Sequence, residues 1–242
     1  KSTNIADIKS EIAEQLEKGS IILSEEWFTS DYCGQFGFKS APWQERLSRL
    51  AELVESFDFE ILVTSRNPQT GLFSFYCEMH KVGIADKYDS FKSFIINAND
   101  AVCYDTLQLN SFISDVFSKP ATFISFELLK NKPGTFFKVL SKWLELPYLL
   151  SSDLERTNAT GYQRGKAIVK KPSKIEWLYN FVSQHVPPNI KKSLKGSRIL
   201  KVRQYILNTR KSVLINEPTR EEVNIISHRF SHVIEEGDTS SN

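Results

Sequence analysis

The sequence is poor in cysteine, in methionine and in long apolar runs. Its 242 residues include three cysteines and one methionine, with 40% hydrophobic and 25% charged residues. Cys33, Cys77 and Cys103 are odd in number and widely spaced, which argues against a disulfide framework and suits free thiols in a reducing compartment, the cytoplasm first. No Cys/His spacing matches a structural zinc site. The longest apolar runs fall far short of a bilayer-crossing stretch, so no membrane span is expected. Collagen-like, disulfide-dense and wholly disordered classes are excluded by composition, which leaves a globular chain of α/β size. The first residues, Lys1-Ser2-Thr3-Asn4, show no signal peptide or basic presequence.

Familiar catalytic motifs are missing as well. Gly161-Tyr162-Gln163-Arg164-Gly165-Lys166-Ala167 has the outline of a phosphate loop, but its glycines are one residue too close and no Ser or Thr follows the lysine. His228 and His232 are four apart on an expected helix, yet Arg229 stands where a zinc protease needs Glu, so both read as surface histidines and no metal is expected. There is no G-x-S-x-G elbow, and no cysteine has the context of a nucleophile.

What is present is a hidden charge asymmetry. The formal net charge is only +2, but residues 153–216 carry 14 Lys and Arg against Asp153, Glu155 and Glu176. The rest of the chain is acidic. Such a basic third is either a solvated surface or a footprint for a polyanion, a phosphorylated cofactor or a membrane surface.

Hydrophobic spacing supplies the elements. Ile5, Ile8, Ile12 and Leu16 predict an amphipathic helix, and Leu47, Leu50, Leu53 and Val54 a second one over 43–56. Ile21-Ile22-Leu23 predicts a short buried strand whose polar end carries Glu25 and Glu26. Residues 59–64 and 121–126 predict two further strands, each followed by a polar turn and a helix, although the aromatics of 71–79 also suit a strand. Residues 88–118 look helical in pieces, Pro133-Gly134 opens a helix, and 217–222 has the Pro and acids of a helix start. The alternation of helix and strand predicts an α/β fold. From about 153 to Pro172 the chain looks irregular and basic, then helical. A single domain is expected: an α/β core over 1–152, a basic loop with helices over 153–216, a closing helix over 217–236 and a tail over 237–242.

One turn stands out chemically. In Phe59–Tyr76, a buried strand ends in Arg66, Pro68 follows two residues later, and Ser74 lies eight beyond the arginine. A guanidinium is a planar fork suited to phosphate oxygens, and a hydroxyl on the next helix reaches the same anion from another side. An Arg paired with a carboxylate and a locally capping Ser is the plainer alternative.

This segment resembles the 3′-phosphate-binding segment of sulfotransferases that use 3′-phosphoadenosine 5′-phosphosulfate (PAPS). Ile22 to Trp27 resembles the strand end that precedes it in bacterial and carbohydrate sulfotransferases. Phe123 to Pro133, with Phe137 to Pro147, resembles a later strand and helix of that family, Arg156 to Thr160 the start of its cofactor-covering loop, and Glu217 to Glu236 its closing helix. The resemblance implies a P-loop-NTPase-like three-layer sandwich with a central, mainly parallel sheet and a helical C-terminal part. It implies sulfuryl transfer from PAPS to a hydroxyl or amine of a carbohydrate or small hydroxylated acceptor, and, for a eukaryotic chain, the Golgi lumen as a second location. Arg66 and Ser74 would hold the 3′-phosphate, Arg164 and Lys166 would close over it from the basic loop, and Glu26 is the candidate base, with Glu25 and His80 as alternatives. The family's P-K-[ST]-G-[ST]-[ST] loop for the 5′-phosphosulfate has no counterpart here, and the resemblance places it upstream of residue 1. The competing expectation is a non-catalytic module that binds anions or nucleic acid through 153–216, although no nucleic-acid motif accompanies the charge.

Overall fold

The computed structural model describes residues 4–24, 26–31, 41–81, 87–147, 161–163, 166–171, 173–176, 205 and 210–232. Helix α1 (Ile5–Leu16) is capped by Asn4, whose side chain accepts the Ala6 N–H. It buries none of its residues: Ile5 and Leu16 remain 39% and 37% exposed. The expected strand at 21–24 does not form among the described residues. That stretch is unpaired, with Ile22 64% exposed and Leu23 49% exposed, and Glu26 opens a 3-10 turn, Glu26–Thr29, instead of ending a strand. Three adjacent apolar residues satisfy a strand pattern, but a strand exists only where a neighbour accepts its hydrogen bonds.

Helix α2 (Trp43–Val54) buries Trp43, Leu47, Ala51 and Val54. Strand β1 (Leu62–Ser65) leads into α3 (Pro68–Lys81), which is buried on most of its surface and settles the ambiguity of 71–79 in favour of helix. Next come α4 (Phe91–Asn97), a 3-10 segment (Asn99–Tyr104) and α5 (Thr106–Phe117), which is capped by Asp105. Strand β2 (Thr122–Ser125) is followed by α6 (Phe126–Asn131) and α7 (Pro133–Trp143). The strands β1 and β2 pair in parallel, Leu62 opposite Thr122 through Ser65 opposite Ser125, so both carboxyl ends lie side by side. The chain is a mixed α/β structure, mostly helical, with a small parallel sheet.

The basic third departs from expectation. Where an irregular loop was expected, β3 (Gly161–Gln163), β4 (Lys166–Lys171) and β5 (Lys211–Asn216) form an antiparallel sheet in the order β3-β4-β5. The reason lies in the alternation Lys166-Ala167-Ile168-Val169-Lys170: Ala167 and Val169 are fully buried while Lys166 and Lys170 are exposed. Period-two patterning decided the structure over basic composition. Helix α8 (Arg220–Arg229) follows, with a complete capping box between Thr219 and Glu222, and ends before Phe230, short of the expected 236. No helix among the described residues is long and apolar enough to cross a membrane.

Two clusters make the core. One joins α3, α4, β4 and α8 through Leu72, Tyr76, Phe91, Phe94, Val169 and Ile226. The other joins α2 and α5, with Phe59, Val63 and Phe123 of the strand segments packed against it. Between α2 and the 3-10 segment lies a buried polar knot. Asp31 and Asp100 are 8% and 2% exposed. The Asp31 N–H donates to Asp100 Oδ1, and Asp31 Oδ1 accepts from the Trp43 N–H at 3.0 Å and from Asn99 Nδ2 at 2.8 Å. Burial pushes the Asp100 carboxyl up to about 6, against the Asp31 and Ser30 hydrogen bonds and Lys87, which pull it down, while the Asp31 charge adds to the rise.

A carboxyl raised on folding stabilises the fold in its protonated form. That contribution is complete below the unfolded value near 4 and is lost as pH rises through about 6. The substitution Asp100→Asn, which mimics the neutral acid, should therefore gain on the parent by up to about 3 kcal/mol between pH 4 and pH 7.5. Urea denaturation of both proteins across that range reads the change, and parallel curves would refute it.

Candidate functional site

The site is built where the two parallel strands end, which is where open parallel sheets present ligand-binding turns. After β1 the chain runs Ser65-Arg66-Asn67 into α3. Pro68 suits the first helical position because it has no N–H to satisfy. Asn67 caps the helix: its Oδ1 accepts the Gln69 N–H at 2.9 Å, and its carbonyl accepts from Thr70 and Gly71 at 3.1 and 2.8 Å. After β2, Ser125 plays the same part for α6, with Oγ accepting the Glu127 N–H at 3.1 Å. Glu127 then ties the two turns together. One carboxylate oxygen accepts the Asn67 N–H at 3.0 Å and the other the Ser125 hydroxyl at 2.8 Å. Burial pushes its carboxyl up, but these bonds, its own N–H and nearby His232 outweigh burial and hold it below the usual range.

An incoming anion therefore finds no open donors in the first turn of α3. What remains is Arg66. Its guanidinium lies 3.9 Å over the Phe126 ring, and Nη1 stands 3.5 Å from Ser74 Oγ. That separation is at the edge of a hydrogen bond and leaves both groups with donor capacity. Among the described residues no carboxylate pairs with Arg66. The backbone of Gly71 is approached closely: a Cβ there would meet Tyr104 Cε1 at 2.5 Å and Arg66 Cβ at 3.0 Å. Burial pushes the Tyr104 phenol above its usual range, and the charge of Arg66 pulls it back in part.

A residue that sequence spacing dismissed also arrives here. His228 is exposed, with Nδ1 2.7 Å from the Asn224 carbonyl, but His232 is half-buried. Ser231 just before it is held by Thr106, whose N–H and hydroxyl donate to its carbonyl at 2.9 and 3.2 Å. The His232 ring lines a cavity of about 170 Å³ together with Asn67, Pro68, Gln69, Ile226, Ser227 and Phe230. Its Nε2 is buried without a hydrogen-bond partner, as is the Ser65 hydroxyl. Burial pushes the imidazole below its usual value, with Glu127 opposing, so the ring is neutral at pH 7. Nothing in the local sequence points to this, because its neighbours come from Asn67 and Glu127.

No family model, curated protein or solved structure matches the chain. Geometry alone therefore orders the candidates. Arg66 and Ser74 are brought together. Lys166 is not in a loop over them: it is exposed on β4, on the side opposite Ala167 and Val169, and makes no ion pair among the described residues. Arg164, Glu25 and the side chain of Glu26 lie outside the described residues. His80 is buried on α3 against the Tyr76 ring at 4.6 Å. Burial pushes the Cys77 thiol up to about 11 and Cys103 well above its ordinary value, so neither is a ready nucleophile. No group of three potential metal ligands occurs among the described residues.

Two outcomes follow. Alanine in place of a helical glycine normally stabilises, by roughly 1 kcal/mol. Gly71→Ala should instead lower stability by about 1–3 kcal/mol, because the new methyl must displace the half-buried Tyr104 ring; a rise in melting temperature would show that Tyr104 moves freely. Glu127 has the opposite sign to Asp100: its lowered carboxyl stabilises above its unfolded value and loses this as pH falls. Glu127→Gln should cost about 1–2 kcal/mol at pH 7, with the gap to the parent closing toward pH 3 in thermal melts.

Proposed function

We propose that this protein is a PAPS-dependent sulfotransferase in which Arg66 and Ser74 grip the 3′-phosphate of the nucleotide. The supporting observation is a half-buried arginine with no carboxylate partner among the described residues, set 3.5 Å from a serine hydroxyl at the carboxyl end of a parallel strand pair. A phosphate seated between them receives a charged fork from one side and a hydroxyl from the other, while the Phe126 ring fixes the plane of the guanidinium. In this reading β1 and β2 belong to the central sheet of a three-layer, P-loop-NTPase-like sandwich.

PAPS supplies the sulfuryl group, which passes to a hydroxyl or amine of a carbohydrate or small hydroxylated acceptor as adenosine 3′,5′-bisphosphate departs. The chain's own contribution at Arg66 and Ser74 is remote binding energy that positions the nucleotide. The described residues fit the 3′-phosphate and hold no second donor set for the 5′-phosphosulfate. Glu127 has a supporting part: its carboxylate takes the Asn67 N–H while Asn67 itself takes the Gln69, Thr70 and Gly71 N–H groups, which leaves the side-chain grip as the anion site at this turn.

Thermal denaturation with and without nucleotide tests the reading. Adenosine 3′,5′-bisphosphate at about 100 times its dissociation constant should stabilise by about 2.7 kcal/mol, a rise of several degrees. Adenosine 5′-monophosphate, which lacks the 3′-phosphate, should give little, and Arg66→Ala should abolish the rise. Equal shifts from both nucleotides, or a shift that survives Arg66→Ala, would exclude this role for Arg66.

A further inference from the structure

Strand β4 turns Ala167 and Val169 into the core and leaves Lys166 and Lys170 exposed on its other side, with Ile168 half-buried between them. Ala167 and Val169 of β4 point into the core, so Lys166, Ile168 and Lys170 face outward. The antiparallel register sets Leu214 directly opposite Ile168, Asn216 opposite Lys166 and Ser212 opposite Lys170. Leu214 is 51% exposed. An aliphatic pair thus stands at the centre of the face, between two lysines roughly 13 Å apart along the strand. Just past β4, Lys174 and Ile175 are exposed, as is Lys211 at the start of β5.

The charge on this surface is unbalanced. Across 161–176 and 210–216 the sequence has a single acid, Glu176. It is buried and held at two points by Arg210, Nε to Oε2 at 2.9 Å and Nη2 to Oε1 at 2.5 Å. The pair cancels internally, so Glu176 adds no free negative charge to the surface. Lys166 and Lys170 of this face, and Lys174 just beyond β4, make no ion pair among the described residues.

Aliphatic tips among lysines match the boundary of an anionic bilayer, with exposed Glu217 at the far end of β5 as the nearest acid in sequence. The tips enter the headgroup layer while the flexible lysine stems carry their ammonium groups to the phosphates. Nucleic acid fits less well, since none of the six outward positions of β4 and β5 presents an aromatic ring on which a base could stack. We propose that the outward face of this sheet docks the protein on an anionic lipid surface, with Leu214 and Ile168 at the acyl boundary and Lys166 and Lys170 on headgroup phosphates. The proposal is independent of the nucleotide site.

Co-sedimentation of the full chain with phosphatidylcholine vesicles, with and without phosphatidylserine, tests it. Binding should require phosphatidylserine and weaken with salt. Lys166→Gln with Lys170→Gln should reduce the partition coefficient about 25-fold, at about fivefold per lysine. Leu214→Ser, which leaves the charge unchanged and lies on an exposed position, should reduce it several-fold, and circular dichroism checks that each variant is folded. No binding to phosphatidylserine vesicles overturns the proposal. So does binding that is indifferent to Leu214→Ser and is competed equally by heparin or single-stranded DNA, which would mark a general polyanion surface.

Discussion

The carboxylate of Glu127 joins two strand–helix turns that lie 60 residues apart in the chain. Parallel strands have no tight hairpin to set their register, so the relative placement of their ends depends on packing and on bonds made after the strands finish. Here one side chain closes that gap. Ser125 orients Glu127, Glu127 holds Asn67, and Asn67 caps α3, which in turn carries Ser74 toward Arg66. The order of these links explains why a carboxylate sits beside a proposed anion site without neutralising it: its lone pairs are engaged by N–H and O–H donors, and the guanidinium is left to stack on Phe126.

The same logic of committed and uncommitted charge runs through the rest of the molecule. Asp31 and Asp100 are buried among donors supplied by Trp43, Asn99 and Ser30, and these hydrogen bonds, not a charge pair, hold α2 against the 3-10 segment. Glu176 and Arg210 spend their charges on each other. Arg66 and the outward lysines of the second sheet have no such partner among the described residues. Buried charges that are paired hold structure together, while cations left unpaired at a strand end or across a sheet face are available to a ligand.

Much of the fold was legible. The spacing of Leu47, Leu50, Leu53 and Val54 announced α2, the Pro and acids of 217–222 announced α8, and the runs at 59–64 and 121–126 announced β1 and β2, because each of these signals is local. Ile21-Ile22-Leu23 shows the limit: apolarity nominates a strand but does not provide its neighbour. The basic segment shows the reverse error, since counting lysines hid the alternation that makes Lys166–Lys171 a strand, whose partner Lys211–Asn216 lies some forty residues on. At the site, Arg66 and Ser74 were legible because two helical turns after a strand carry a side chain back toward the strand end. His232 and Glu127 were not, because their neighbours are distant in sequence.

By itself the sequence determined the local grammar: which stretches are amphipathic, where several helices start, and that an arginine and a serine follow a strand at a spacing suited to an anion. Those properties depend on residues a few positions apart and survive without knowledge of the rest. The tertiary structure decided which charges are spent and which are free. Whether Arg66 meets a carboxylate, whether His232 is buried, and whether Glu176 shows its charge to solvent depend on segments that only the folded chain brings together, and those contacts set the chemistry available at the surface.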